Sequence, residues 1–363
     1  MQDAARVFDA IAGYDPKDEL TAFSVGRMPS QPYSSFATGQ RPGSQGLEGV
    51  RIGVIREYMN KKLFSRADEE SIDIVERAVG DLRRLGATVV DPGPEGALFQ
   101  SCVVRYAPQL LNAQFAAQRP NLFPVKTTGA AGAAGEPATD YIATLVDMAA
   151  DPALVPGELS IRSLGGFGAQ GEGKYMMNKY LRERGDANIR SNADLVSKAT
   201  FYQDPNFPDR RQMRENTERQ VALDTAVRLQ GRFAVQTIVL QCMQEQRLDA
   251  LIAPTASVPS PKLNGPREPN VNGRSPVGWS FLGQQGFPVI SVPAGFTTEV
   301  WDRVRKGAET PLVGPIRARL PVGVDFVARP FDEPMLFRIA SAYEAATRHR
   351  TPPADFGPLA GEP

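Results

Sequence analysis

The sequence predicts an α/β fold, because segments typical of buried strands alternate with segments typical of amphipathic helices. Residues 50–55 alternate as a strand, residues 65–86 place apolar side chains on one helical face, and residues 87–90 form a second strand. Together they make a βαβ unit over 50–90, which favours a parallel strand pair. Three later segments between loops rich in proline and glycine are also expected to be strands: 251–253, 289–292 and 322–327.

The remaining chain is predicted to be mostly helical. A helix over 3–12 ends before Gly13, where glycine and the proline that follows cannot continue it. Residues 95–245 have the pattern of helices and loops that cover a sheet. A last helix begins at the capping residue Asp332 and runs through Ala346.

Composition excludes several classes of protein. The 363 residues contain 41 lysines and arginines against 41 aspartates and glutamates, so no basic field attracts a nucleic acid. No run of about 18 apolar residues predicts a membrane span. Cys102 and Cys242 lie far apart and match neither a disulfide framework nor a zinc site, which favours a reducing cytoplasm.

The usual catalytic motifs are missing from the sequence. There is no G-x-S-x-G elbow and no S-x-x-K pair, although a nucleophilic serine needs a partner to accept its proton. The single histidine, His349, lies at the end of the last helix, where a structural role is expected. Residues 166–171 match GxGxxG, but the residues before them make a poor buried strand, so a flexible loop is expected instead of a dinucleotide site.

Five ordered parts of the sequence resemble the amidase signature family, whose members are Ser-cisSer-Lys amidases. Any one of these segments is a weak signal, but their order along the chain is the family's order. The segments are 3–18, 47–54, 248–255, 286–295, and 320–324 with 329–332.

The resemblance implies one mixed β-sheet covered by helices on both faces, incomplete at the amino-terminal side. It implies an amidase domain over 1–363, as the carboxy-terminal part of that domain, with 95–245 as a helical region that varies with substrate and 248–350 as sheet strands and final helix. The family's usual activity is hydrolysis of a linear amide to a carboxylate plus ammonia or an amine. No cofactor and no metal is implied.

The resemblance assigns no catalytic residue to this chain. The family's serine, lysine and second serine precede the helix with which this chain begins, so the chain alone is expected to be inactive. Two explanations are a truncated sequence and a split enzyme that pairs with a separate amino-terminal catalytic segment. The alternatives are a chain of a tRNA amidotransferase-like complex, a homo-oligomer, and a non-catalytic binding or scaffold subunit.

A small-molecule amide pocket is also implied by the resemblance. Family members line it with the loop before the Gly-x-Pro strand entry and the loop after the Pro-Thr strand end. The candidate pocket residues are Thr255, Trp279, Phe281 and Gln285. Nucleic acid and membrane are not expected as partners.

Overall fold

The computed structural model describes residues 1–39, 46–123, 127–131, 137–164, 170–202, 210–256, 258–260, 281–304, 306–307 and 309–351. The α-helices are α1 Gln2–Ile11, α2 Arg66–Arg84, α3 Gln100–Leu110, α4 Ala113–Ala117, α5 Tyr141–Ala150, α6 Glu172–Arg184, α7 Asn192–Lys198, α8 Arg210–Glu218, α9 Ala226–Glu245, α10 Phe281–Gln284 and α11 Glu333–Thr347. The strands are β1 Arg51–Val54, β2 Thr88–Val90, β3 Thr127–Ala131, β4 Pro137–Thr139, β5 Ala250–Pro254, β6 Val289–Phe296, β7 Glu299–Arg303, β8 Leu312–Arg317 and β9 Pro321–Ala328.

A five-stranded mixed sheet with the order β2-β1-β5-β9-β6 organises the fold. Strand β1 is parallel to both β2 and β5, whereas β9 is antiparallel to β5 and β6. Two antiparallel hairpins, β3 with β4 and β7 with β8, complete the strand pairing of the described residues. The mixed sheet and its helices confirm the α/β fold, and β1–α2–β2 has the predicted parallel pair.

The chain divides into two compact units. The sheet unit comprises the described residues of Met1–Val103, Val239–Pro261 and Glu268–Pro363, and it contains the five-stranded sheet. The helical unit comprises those of Val104–Ile238 and Lys262–Arg267. Among the helices of the described ranges, none is long and apolar enough to cross a membrane.

One face of the sheet is packed against α2 and α11. Alternate residues of β9, from Val322 to Ala328, enter a single apolar cluster with residues of those two helices. Fully burying one such side chain stabilises the fold by about 1.5–3 kcal/mol. Helix α2 begins where predicted, because Ser65 and Asp68 form a capping box.

A buried ion cluster fixes the crossover of the βαβ unit. The Arg56 side chain is only 3% exposed and donates to the carboxylates of Glu76 and Asp91. Its Nε and Nη2 lie 2.7 and 2.6 Å from the two oxygens of Asp91. Hydrogen bonding from Arg56 lowers the pKa of the Asp91 carboxyl from 3.8 to about 2, with a further bond from Arg83.

We expect Asp91→Asn to lower the free energy of unfolding by about 2 kcal/mol at neutral pH. The pKa of Asp91 is lower in the folded than in the unfolded protein. Its contribution is therefore complete above the unfolded value near 3.8 and is lost as the pH falls toward 2. Urea unfolding at pH 7 and at pH 3 measures this, and the difference between variant and wild type should shrink at pH 3.

The matched control is Glu95→Gln, which removes one partner of the exposed Lys62–Glu95 pair. An exposed ion pair contributes about 0–1 kcal/mol, so this variant should unfold almost like the wild type. An equal loss in both variants, or a pH-independent loss in Asp91→Asn, would contradict the assignment.

The structure shows that the expectation for the two cysteines is wrong. Cys102 in α3 and Cys242 in α9 form a disulfide, with their Cα atoms 5.6 Å apart and 140 residues between them. Both cysteines are buried in the sheet unit. Sequence spacing carried no sign of this pair, because tertiary packing of two distant helices brings the thiols together.

Because the two cysteines are bonded, we expect the protein denatured in guanidinium without reductant to release no titratable thiol. Replacing both residues in Cys102→Ala/Cys242→Ala should lower the free energy of unfolding by about 2–5 kcal/mol, since the cross-link restricts the unfolded chain. Thiol titration and guanidinium unfolding measure the two effects. Two titratable thiols in freshly purified protein would contradict the disulfide.

Candidate functional site

A buried carboxylate lies in the middle of the five-stranded sheet. Asp325 belongs to β9, which runs between β5 and β6, and none of its surface is exposed. Its strand neighbours are Ala253 on β5 and Ser291 on β6. Since side chains alternate along a strand, Asp325 faces away from the cluster that contains Val324 and Phe326. The carboxylate therefore lies on the sheet face opposite α2 and α11.

Two hydroxyl groups from the neighbouring strands donate to one oxygen of this carboxylate. Thr255 Oγ1 lies 2.5 Å from Asp325 Oδ1, and Ser291 Oγ lies 2.7 Å from the same atom. Thr255 directly follows β5, and its N–H donates to the carbonyl of Gly323 at 3.1 Å. Hydrogen bonds to an ionised acceptor are stronger than neutral ones. They connect the three strands at one point.

Gly323 makes this arrangement possible. A Cβ atom at this position would lie 2.7 Å from Thr255 Oγ1 and 3.1 Å from Thr255 Cβ. Both distances are shorter than a normal van der Waals contact, so any larger residue would displace the Thr255 side chain. Glycine is therefore required here for space.

The group formed by Thr255, Ser291, Gly323 and Asp325 is called the Asp325 cluster below. Ser291 is exposed, Thr255 and Gly323 are half-buried, and Asp325 is buried beneath them. Two hydroxyl-bearing residues that are exposed or half-buried thus lie over a buried carboxylate. A few convergent polar groups of this kind fix the orientation of small ligands in binding sites.

The structure places the four predicted pocket residues differently. Thr255 belongs to the Asp325 cluster. Gln285 is buried in the turn between α10 and β6, where its N–H donates to Leu282 O at 2.9 Å. Phe281 is the first residue of α10, although its side chain lies outside the described part of the chain, and Trp279 lies wholly outside it. Their role in a pocket stays a prediction.

Sequence reasoning missed Asp325 and Ser291. A single charged residue inside the apolar run 322–327 was a usable signal, because a buried charge needs hydrogen-bond partners. Ser291 inside the apolar run 289–292 was a similar signal. Only the strand register shows that these two residues face each other.

Several lysines of the described residues are held in ion pairs with carboxylates. These pairs are Lys61–Asp73 at 2.6 Å, Lys62–Glu95 at 2.7 Å, Lys174–Glu218 at 2.9 Å and Lys198–Asp194 at 2.7 Å. The ring of His349 lies 6.3 Å from that of Tyr343, and burial, followed by the charge of Arg77, lowers the pKa of His349. Most of the GxGxxG segment lies outside the described residues.

The described residues contain no group of three or more histidine, cysteine or acidic side chains that could hold a metal ion. The chemistry of the Asp325 cluster is that of one carboxylate and two hydroxyl groups. It can bind a hydrogen-bond donor or a cation, and it can orient a small polar group.

Comparison with known proteins shows similarity to amidases. Residues 180–337 match the family model described as Amidase. A probable amidase of Arabidopsis thaliana is 23% identical over 365 residues, covering 97% of this chain and 48% of the relative. A glutamyl-tRNA(Gln) amidotransferase subunit of Symbiobacterium thermophilum is 25% identical over 364 residues, covering 96% and 53%. The chain spans about half the length of the curated relatives it matches.

Solved structures share the fold. A peptide amidase in complex with the competitive inhibitor chymostatin has a TM-score of 0.51 at 22% identity, with 97% of this chain and 53% of that chain covered. An amidase family protein from Bacillus anthracis str. Ames has a TM-score of 0.50 at 20% identity, with 97% and 48% covered. The family-model match over residues 180–337, the relatives and the mixed sheet agree with one another, and in each of them this chain is similar to amidases.

Proposed function

We propose that this chain is the substrate-binding, carboxy-terminal portion of an enzyme that hydrolyses a linear amide to a carboxylate plus ammonia or an amine. The observation that carries the proposal is the family match over residues 180–337. That range includes β5, β6 and β9, and with them Thr255, Ser291 and Asp325. The hydroxyl groups of Thr255 and Ser291, which converge on a buried carboxylate, support a binding role for this sheet face.

The nucleophilic serine and its lysine base are proposed to come from residues outside these 363. The support is that the relatives are about twice as long as this chain. Ser291 is a poor candidate for the nucleophile, because its proton is directed to Asp325, which also accepts from Thr255. A carboxylate with two such donors is a much weaker base than the neutral amine of a lysine. A truncated chain and a split enzyme both fit this proposal.

An apolar groove supports the proposal that residues 95–245 contribute to substrate binding. A cavity of about 730 Å³ lies within the helical unit. Its volume is in the range of small-molecule pockets. Its apolar lining comes from the end of α3 and from α5, and includes Leu111, Ile142, Leu145 and Val146.

The second candidate function is that of one component in a multi-chain complex. The chain would then be a non-catalytic binding or scaffold chain, or one chain of a split amidase or of a tRNA amidotransferase-like assembly. Large apolar side chains concentrated near the amino terminus favour it, since contiguous exposed apolar surface marks interaction sites. A homo-oligomer would use the same surface. The exposed residues are Val7, Ile11, Tyr14, Leu20, Phe23, Val25 and Met28.

A cytoplasmic location remains part of the proposal. The Cys102–Cys242 disulfide is the observation that speaks against it, because reducing compartments disfavour such bonds. The balanced charge of the chain supports the view that it does not itself bind nucleic acid.

We expect the purified chain not to accelerate the hydrolysis of small linear amides, so that ammonia forms at the same rate as without protein. The same chain produced with its upstream coding sequence restored in frame, or together with a separate catalytic segment, should release ammonia. The reason is that the nucleophile and its base are supplied by the added residues. Ammonia release from a panel of aliphatic and aromatic primary amides measures both. Turnover by the chain alone, retained after a second purification step, would contradict the proposal.

In the assembly that hydrolyses the amide, we expect Gly323→Ala to raise the KM at least about tenfold, which corresponds to about 1.4 kcal/mol of lost binding. The added methyl group displaces Thr255 from Asp325. The matched control is Gly80→Ala in α2, where the nearest atom to the new Cβ is Arg84 Nη1 at 3.8 Å. Steady-state kinetics separate KM from kcat, and equal kinetics in both variants would contradict a binding role for the cluster.

A further inference from the structure

The two oxygens of the Asp325 carboxylate have different surroundings. Oδ1 accepts hydrogen bonds from Thr255 and Ser291 at 2.5 and 2.7 Å. Oδ2 is fully enclosed, and no donor within the described part of the chain reaches it. A carboxylate can accept about four hydrogen bonds, so half of this capacity is directed at nothing in the described residues.

Leaving Oδ2 without a hydrogen bond costs free energy because the carboxylate is buried. Asp325 has no exposed surface, so bulk water does not solvate Oδ2. Ion pairs within the described ranges do not include Asp325, so its charge is also uncompensated there. Buried charges in folded proteins are ordinarily paired and hydrogen-bonded. A partner that donates hydrogen bonds and carries positive charge would satisfy both the enclosed oxygen and the charge.

We propose that the Asp325 cluster binds a primary ammonium group, with an N–H donating to Asp325 Oδ2. A primary ammonium supplies three donors and one positive charge. The O–H groups of Thr255 and Ser291 each donate a hydrogen bond to Oδ1, and their oxygens keep lone pairs with which to accept from the same ammonium. One carboxylate oxygen and two hydroxyl oxygens thus match the donors of one ligand.

Other occupants fit less well. A water molecule would supply donors but no charge. A calcium ion takes six to eight oxygen ligands and a magnesium ion requires near-octahedral coordination. The cluster offers one carboxylate and two hydroxyl groups, and the described residues contain no metal-binding group elsewhere.

The exposed member of the cluster is Ser291, which donates directly to Oδ1 of the carboxylate. Since Oδ2 is enclosed, a ligand reaches it only when the side chains that cover it move. The ligand must therefore be small, such as ammonium itself or a primary amine with a slender substituent.

This inference deepens the proposed function and rests on it for its biological meaning. Hydrolysis of a linear amide releases ammonia or an amine, and ammonia and alkylamines are protonated at neutral pH. The Asp325 cluster binds that product, or an amino group that the substrate already carries. The amine side of the reaction is thereby assigned to one face of the sheet.

The test is a binding titration on the full chain, without any hydrolysis. The probes are ammonium chloride and methylammonium chloride, compared with potassium chloride and tetramethylammonium chloride at constant ionic strength. Potassium has nearly the size of ammonium but no N–H donors, and tetramethylammonium has the charge but no donors. Thermal unfolding and isothermal titration calorimetry should show saturable binding of the first two, with the second two at least tenfold weaker.

Asp325→Asn keeps the shape of the side chain and removes its charge, and should weaken ammonium binding at least tenfold. If this variant does not fold, Ser291→Ala and Thr255→Val each test the site, with an expected weakening of several-fold. The matched control is Asp73→Asn, which removes a half-exposed carboxylate paired with Lys61 and should leave ammonium binding unchanged.

Equal responses to ammonium and potassium, no saturable response, or unchanged binding in Asp325→Asn would overturn the inference. The proposed function can fail separately. Ammonium binding without amide hydrolysis in the restored assembly would refute only the amidase proposal. Amide hydrolysis without ammonium binding would refute only the inference about Asp325.

Discussion

The hydrogen bonds from Thr255 and Ser291 to Asp325 are the interaction on which the candidate site depends. They join β5, β9 and β6 on the face of the sheet opposite α2 and α11. A charged group can remain buried there only because both neighbours present hydroxyl donors at the matching register. Gly323 is part of the same constraint, since its missing side chain leaves the space that Thr255 occupies.

The opposite face gives this arrangement its rigidity. There β9 packs through Val322, Val324 and Phe326 against α2 and α11, so the strand that bears Asp325 cannot shift without disturbing that apolar cluster. A slip of one residue would turn Asp325 into that apolar cluster and Phe326 to the other face of the sheet. Burial of the apolar side chains and the hydrogen bonds to Asp325 therefore fix the same register.

Much of the sheet unit could be predicted from sequence, because its signals are local. The apolar periodicity of residues 65–86 predicted α2 within a few residues, and the capping box of Ser65 and Asp68 fixes its start. The apolar runs that became β5, β6 and β9 were equally clear. The hairpin of β7 and β8 was missed, since the burial of its residues varies little along each strand and leaves no strong alternation to detect.

The site was harder to predict, because it is formed by contacts between distant residues. Thr255 was named from the family resemblance alone, and nothing in its local sequence connects it with Asp325, which lies on another strand. The disulfide shows the same limit, since the helices that carry Cys102 and Cys242 meet only in the folded chain. Charge inside an apolar strand was the one local sign of the site.

The most direct test of the central claim is a crystal structure of the chain grown with methylammonium. The account predicts density for the amine with its nitrogen within hydrogen-bond distance of Asp325 Oδ2, while Thr255 and Ser291 still donate to Oδ1. It would be contradicted by an Asp325 carboxylate whose Oδ2 bonds only to water, or by amine density that is found only elsewhere on the protein.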